Sequence, residues 1–187
     1  NMVGREIKEK FPRIESSPGR TILSVRGLNA GRQVRDVSFD LREGEIVGVA
    51  GLMGAGRTEM TRALFGADPK ESGEITLDGE AVRIDRPMDA IEAGIVLVPE
   101  DRKNDGLCTK LSIRENIALP NLDMLKGRLS TVDRQRESDM VERAACDLSI
   151  RMTDADQSAE SLSGGNQQKV VVAKWLARSS RAVLFDE

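Results

Sequence analysis

A chain of 187 residues suits one domain, and its 28 basic against 31 acidic residues, a net charge of -3, leave no basic surplus to favour nucleic acid as a partner. Hydrophobic residues at 39% and charged residues at 32% are an ordinary soluble composition, and no apolar run approaches the roughly 18 residues that span a bilayer. Histidine is absent, which removes imidazole catalysis and imidazole metal sites, while Cys108 and Cys146 sit in no metal-binding spacing and read as free thiols of a reducing cytoplasm.

Residues 1–20 are charged and end in Ser16-Ser17-Pro18-Gly19, which reads as a linker. A strand is expected over 21–26. Val37, Phe39 and Leu41 alternate with polar residues, as in a half-buried antiparallel strand. Residues 46–50 are continuously apolar and read as a short buried strand, followed by a glycine-rich loop and a helix over 58–65. Asp78-Gly79-Glu80 joins the apolar runs 75–77 and 81–84 as a hairpin. Pro87 starts a helix that Gly94 stops, and 95–98 is a second buried strand. Ser112 and Glu115 form a capping box for a short helix ending before Pro120. A longer helix is expected over 131–148, with Val132, Met140, Ala144 and Leu148 among its apolar positions. The stretch 104–160 thus reads as a mainly helical insert between two strands of a parallel α/β core.

Four motifs carry chemistry. GLMGAGRT, residues 51–58, matches a phosphate loop at Gly51, Gly54, Gly56 and Thr58, between an expected strand and a helix. In such loops glycines turn backbone N–H groups toward phosphates, lysine supplies a charge and the hydroxyl binds Mg2+. Here Arg57 stands in the lysine place; it keeps the charge but is planar and bulkier. LSGGNQQK, residues 162–169, puts the Ser163 hydroxyl and the Gly164 and Gly165 amides at a helix N-terminus, an anion-binding geometry. VLFDE, residues 183–187, delivers Asp186 to a strand end, suited to Mg2+, and Glu187 beside it, suited to polarising a water. In VPEDRK, residues 98–103, Glu100 follows a buried strand and its carboxylate could face the metal side. Alone, each motif has a plain reading as a glycine turn, a serine cap or solvated acids. Their order in one chain outweighs it and points to an ATP-driven domain.

These motifs in this order resemble the ATP-binding cassette (ABC) ATPases, and the resemblance covers essentially the whole chain. GLMGAGRT resembles the Walker A loop, LSGGNQQK the cassette signature, VLFDE the Walker B strand, and VPEDRK occupies the Q-loop place. GAGRTE, VPEDRK and LSGGNQQK together look like the second cassette of double-cassette monosaccharide importers, of the ribose, xylose or galactose type. MVGRE, residues 2–6, resembles the linker between their cassettes. The resemblance implies a P-loop α/β fold with a parallel core sheet, an antiparallel β part and a helical insert at about 104–160, after a linker over 1–20.

It further implies that Gly51, Gly54, Ala55, Gly56, Arg57, Thr58 and Glu59 hold ATP, with Thr58 and Asp186 on Mg2+ and Glu187 and Glu100 catalytic. Ser163, Gly164, Gly165 and Gln167 would complete an ATP site on a partner, the first cassette of the same chain. The other partners implied are transmembrane permease subunits and, through them, an external sugar-binding protein, at the cytoplasmic face of the membrane. A nucleoside importer or a soluble, non-transport ABC ATPase are the alternatives.

Three departures stand out: Arg57 for lysine, Glu100 for glutamine, and no aromatic near residues 28–33, where a cassette usually stacks adenine. The family also continues past the Walker B strand with a D-loop, a further core strand and a switch histidine. A chain ending at Glu187 is therefore expected to be C-terminally truncated, to expose a sheet edge that invites self-association, and to be inactive alone.

Overall fold

The computed structural model describes residues 17–128, 131–178 and 180–186. Almost all of the expected linker, and Glu187, lie outside the described residues.

Two apolar cores organise the chain. The first lies under an antiparallel sheet of order β2-β1-β3-β4. β1 (Thr21–Ala30) is longer than its sequence suggests and pairs with β2 (Val34–Arg42) on one edge and β3 (Ser72–Leu77) on the other. Leu23, Val25, Leu28, Ile75 and Leu77 alternate inward and are buried. Helix α1 (Arg57–Phe65) lays Met60, Ala63, Leu64 and Phe65 into the same core. Asp78 and Gly79, both at positive φ, make the expected tight hairpin turn into β4 (Glu80–Ala81). Ladder pairing stops there, so the strand expected over 81–84 is short, and Ile84 is buried without belonging to it. Helix α2 (Pro87–Ala93) begins at its proline and ends on left-handed Gly94, as the sequence requires.

The second core is helical. It gathers α3 (Ile113–Ala118), α4 (Arg134–Asp147) and α5 (Gly164–Leu176), with Ile113, Ile117, Val141, Val170 and Val171 at its centre. Ser112 and Glu115 make the reciprocal capping box at the start of α3. Helix α4 starts later than its apolar pattern implies, because the Asp133 carboxylate caps the Gln135 and Arg136 amides. Val132 therefore precedes the helix and bridges to Lys126. Asn121, fully buried, donates to the Ile117 and Lys174 carbonyls and ties the end of α3 to α5.

The cores meet at a parallel pair, β5 (Ile95–Val98) with β6 (Ala182–Phe185), in register from Ile95–Ala182 to Val98–Phe185. Every residue of β5 is buried, Ile95 and Leu97 in the first core and Val96 and Val98 in the second. Phe65 meets Trp175 across the seam, edge to face, with ring centroids 6.5 Å apart. At the opposite end from the sites below, Asp78 pairs with both Arg20 and Arg181.

One expectation fails. Residues 46–50 form no strand, and Ile46 is 97% exposed. A groove of about 660 Å³ separates Ile46, Val47 and Val49 from Leu184 and Phe185 of β6. No strand among the described residues pairs with this run, so its backbone joins no ladder. It follows that Ile46→Ala changes stability by less than about 0.5 kcal/mol, whereas Ile95→Ala costs about 2–5 kcal/mol. Urea unfolding of the two variants reads the difference directly.

Candidate functional site

The glycine-rich loop lies between residue 50 and α1. Gly51 to Ala55 are exposed and Gly56 is buried. Gly56 caps α1 in a left-handed conformation, φ 86°. A Cβ there would lie 2.7 Å from the Gln33 Cβ, so the β1–β2 turn seats directly on the loop and only glycine fits. The first turn of α1 carries Arg57, Thr58 and Glu59, an acid that suits the positive helix end.

The Thr58 Oγ1 donates to Asp186 Oδ1 at 3.1 Å, across 128 residues of sequence. Asp186 is 5% exposed and stands at the carboxyl end of β6, its amide donating to the Val98 carbonyl at 3.0 Å. Arg57 lines the same groove as Asp186. Arg62, one helical turn on, holds Asp68 through two bonds of 2.8 and 3.1 Å and lies 3.9 Å from Asp105. The hydrogen bond to Asp68 raises its pKa above the ordinary arginine value against the opposing effect of burial, with the charges of Asp68, Asp105 and Asp186 adding.

Glu100 is exposed just past β5. Because Val98 pairs with Phe185, Glu100 and Asp186 leave the same edge of the parallel pair. Asp101 then caps a single π-type turn, Arg102–Gly106, accepting from the Lys103 and Asn104 amides and from Asn104 Nδ2. Those bonds, the Asn104 amide first, hold its carboxyl below the usual range.

Ser163, Gly164 and Gly165 open α5 on the other core. Ser163 is the N-cap residue, but its hydroxyl accepts from Asn166 Nδ2 at 3.1 Å and does not cap its own helix. The first-turn amides of a helix have no intrahelical acceptor, and the space beside Gly165 is open. Gln167, expected to bind nucleotide, is instead buried: its amide donates to the Ala159 carbonyl and accepts from Arg102. The structure thus groups Arg57, Thr58 and Asp186, with Glu100 on the same sheet edge, and stands Ser163, Gly164 and Gly165 on the helical core.

Residues 34–187 match the sequence model of the family described as ABC transporter. The chain belongs to the ABC transporter family. A ribose import ATP-binding protein, RbsA 3, of Rubrobacter xylanophilus is 50% identical over 186 residues, covering 100% of this chain and 37% of its own. A putative ribose/galactose/methyl galactoside import ATP-binding protein of Agrobacterium fabrum is 49% identical with the same coverage. The chain therefore spans little more than a third of these relatives. Among solved structures, a nucleotide-free ATP-binding cassette from an ABC transporter superposes with a TM-score of 0.71 at 18% identity, covering 90% of this chain and 69% of that one. CbiO1 from Clostridium perfringens gives 0.70 at 19% identity, covering 89% and 65%. These two bear on the ABC ATPase fold alone. No helix among the described residues is long and apolar enough to cross a membrane.

Sequence reasoning passed over Gln33, Arg62 and Arg102. None lies in a phosphate-binding pattern; each matters through a contact with a residue distant in sequence. Two outcomes follow. Gly56→Ala costs about 1–3 kcal/mol from the left-handed backbone, and Gln33→Gly in that background recovers only the part due to crowding, as thermal unfolding of both variants reads. The Asp101 cap is complete above the ordinary carboxylate pKa of about 4 and is lost as pH falls through the lowered value; carbon-13 titration of Asp101 should find its midpoint below the ordinary value.

Proposed function

We propose that the chain is the second ATP-binding cassette of a two-cassette monosaccharide importer, and that its use of ATP drives a membrane permease. The observation that carries this reading is the Thr58–Asp186 hydrogen bond, which sets a loop hydroxyl and a strand-end carboxylate side by side. Among the described residues no group of three or more Cys, Asp or Glu could hold a metal ion. Two oxygen donors suit Mg2+, which keeps waters and takes its remaining ligands from substrate phosphates. Thr58 and Asp186 would hold that ion, whose role is to neutralise charge on the β- and γ-phosphates.

The Gly54 and Gly56 amides and the Arg57 guanidinium would meet the phosphates of the same nucleotide, Gly51 opens the loop, Ala55 shapes it by donating its amide to the Leu52 carbonyl at 3.0 Å, and Glu59 sits in the helical turn behind it. Glu187, and Glu100 at the same sheet edge, supply the acids that orient an attacking water. Exposed Ser163 and Gly165, with half-buried Gly164 between them, would complete an ATP site on the first cassette of the same polypeptide. Arg57 makes the chain's own site the weaker one for hydrolysis, since a planar guanidinium replaces a compact ammonium.

Relatives at about 50% identity over the whole chain, named for ribose and galactose import, support the sugar class. For the permease, the helical core offers a surface. Leu119, Leu122, Met124 and Leu176 are exposed there, and a cleft of about 500 Å³ is lined by Met124 and Leu176 together with Met140, Leu148, Arg136 and Arg143. The sugar-binding protein acts outside the membrane, through that permease.

Titration calorimetry with and without Mg2+ tests the reading. Thr58→Val should weaken Mg-ATP binding about tenfold and Asp186→Asn by about 10- to 100-fold, with metal-free ATP affinity unchanged in both. Equal losses with and without the metal would remove Thr58 and Asp186 from the ion.

A further inference from the structure

The turn after β5 is fastened to the signature helix. Arg102 Nε donates to Gln167 Oε1 at 3.3 Å. Its guanidinium also lies on Gly164: a Cβ there would be 2.7 Å from Arg102 Nη2. Gly106 packs on Val171, where a Cβ would be 3.1 Å from Cγ2, and its carbonyl accepts from Lys174 Nζ. Gln167, Val171 and Lys174 step along one face of α5 at helical spacing, so the turn lies along that face for almost two turns. Toward α1 the same turn has the Asp105–Arg62 approach, and that is 3.9 Å.

Gly164 is not in a left-handed conformation, so backbone freedom does not explain it. What it supplies is room for Arg102. A guanidinium against the start of a helix is electrostatically unfavourable by itself, since that end is already positive. The placement therefore does not serve helix stability.

We propose that Arg102 is the positioning residue of the signature turn: through Gly164 and Gln167 it makes the Arg102–Gly106 turn and the start of α5 shift as one body. A change at the exposed Glu100, two residues before Arg102, then reaches Ser163 and Gly165 without any contact between them. Gln167 serves this link from inside the core, held by the Ala159 carbonyl on its other side. The inference rests on the reading of residues 163–165 as the half-site that meets ATP on the partner cassette.

Two measurements test it. The first, hydrogen exchange of the chain itself, does not depend on ATP. Arg102→Ala should speed exchange of the 162–168 amides about tenfold and leave α4 unchanged. Gly164→Ala, which evicts the guanidinium without removing it, should do the same, and the double variant should add little. The second uses the full-length protein with its permease. Arg102→Ala should lower kcat for ATP about tenfold with KM within twofold, and Arg102→Lys should restore less than half, since an ammonium cannot both lie on Gly164 and reach Gln167. Unchanged exchange, or an unchanged kcat with ATP still bound, overturns the positioning role. Altered exchange with no ATP binding by the wild-type protein would keep the link and overturn the nucleotide reading instead.

Discussion

The parallel pairing of β5 with β6 is the constraint on which the rest depends. Four residues of β5 face alternately into the two cores, so the strand is buried on both sides, as parallel strands are. Each such side chain contributes about 1.5–3 kcal/mol of burial. The register then does the chemical arranging. Because Val98 stands beside Phe185, the next residues on both strands leave at the same edge, and Asp186 emerges where Thr58 can reach it. Slipping the pairing by one residue would exchange the two cores and turn every β5 side chain to the wrong one.

Much of this was legible because the deciding physics is local. Pro87 and Gly94 bound α2 through φ preferences that belong to those residues. Ser112 and Glu115 satisfy one another within a single turn. The glycine-rich loop before α1, the Ser-Gly-Gly start of α5 and the acid at the end of β6 were likewise visible as spacing. What was not legible needs a partner. Residues 46–50 have every mark of a buried strand, but strand formation is a property of a pair, and no strand among the described residues pairs with them. The start of α4 turned on whether Val132 or the Asp133 carboxylate would win, and a cap outweighs one apolar position. Gln167 looked like a ligand-facing polar residue, yet Arg102, 65 positions away in sequence, claims it.

Stability and function draw on different interactions here. Arg26 with Asp40 and Arg35 with Glu71 are solvent-exposed ion pairs, which are worth little. Three of the six buried polar residues among the described residues stand at joints: Asn121 where α3 meets α5, Asp186 where β6 meets α1, Gln167 where α5 meets the turn after β5. Each satisfies groups from separate elements, so each costs more to disturb than its own hydrogen bonds suggest. The functional reading runs through two of those three joints.

The seam between the cores also carries its own optical reporter. The sequence has one tryptophan and no tyrosine. Trp175 is 7% exposed, with its ring against Phe65 of the opposite core and the Lys174 ammonium 5.0 Å from its centroid. The intrinsic fluorescence of the chain therefore comes almost entirely from the place where its two halves touch. Any tilt of α5 against α1 changes the packing and charge around that single indole, and so changes its emission, with no label added.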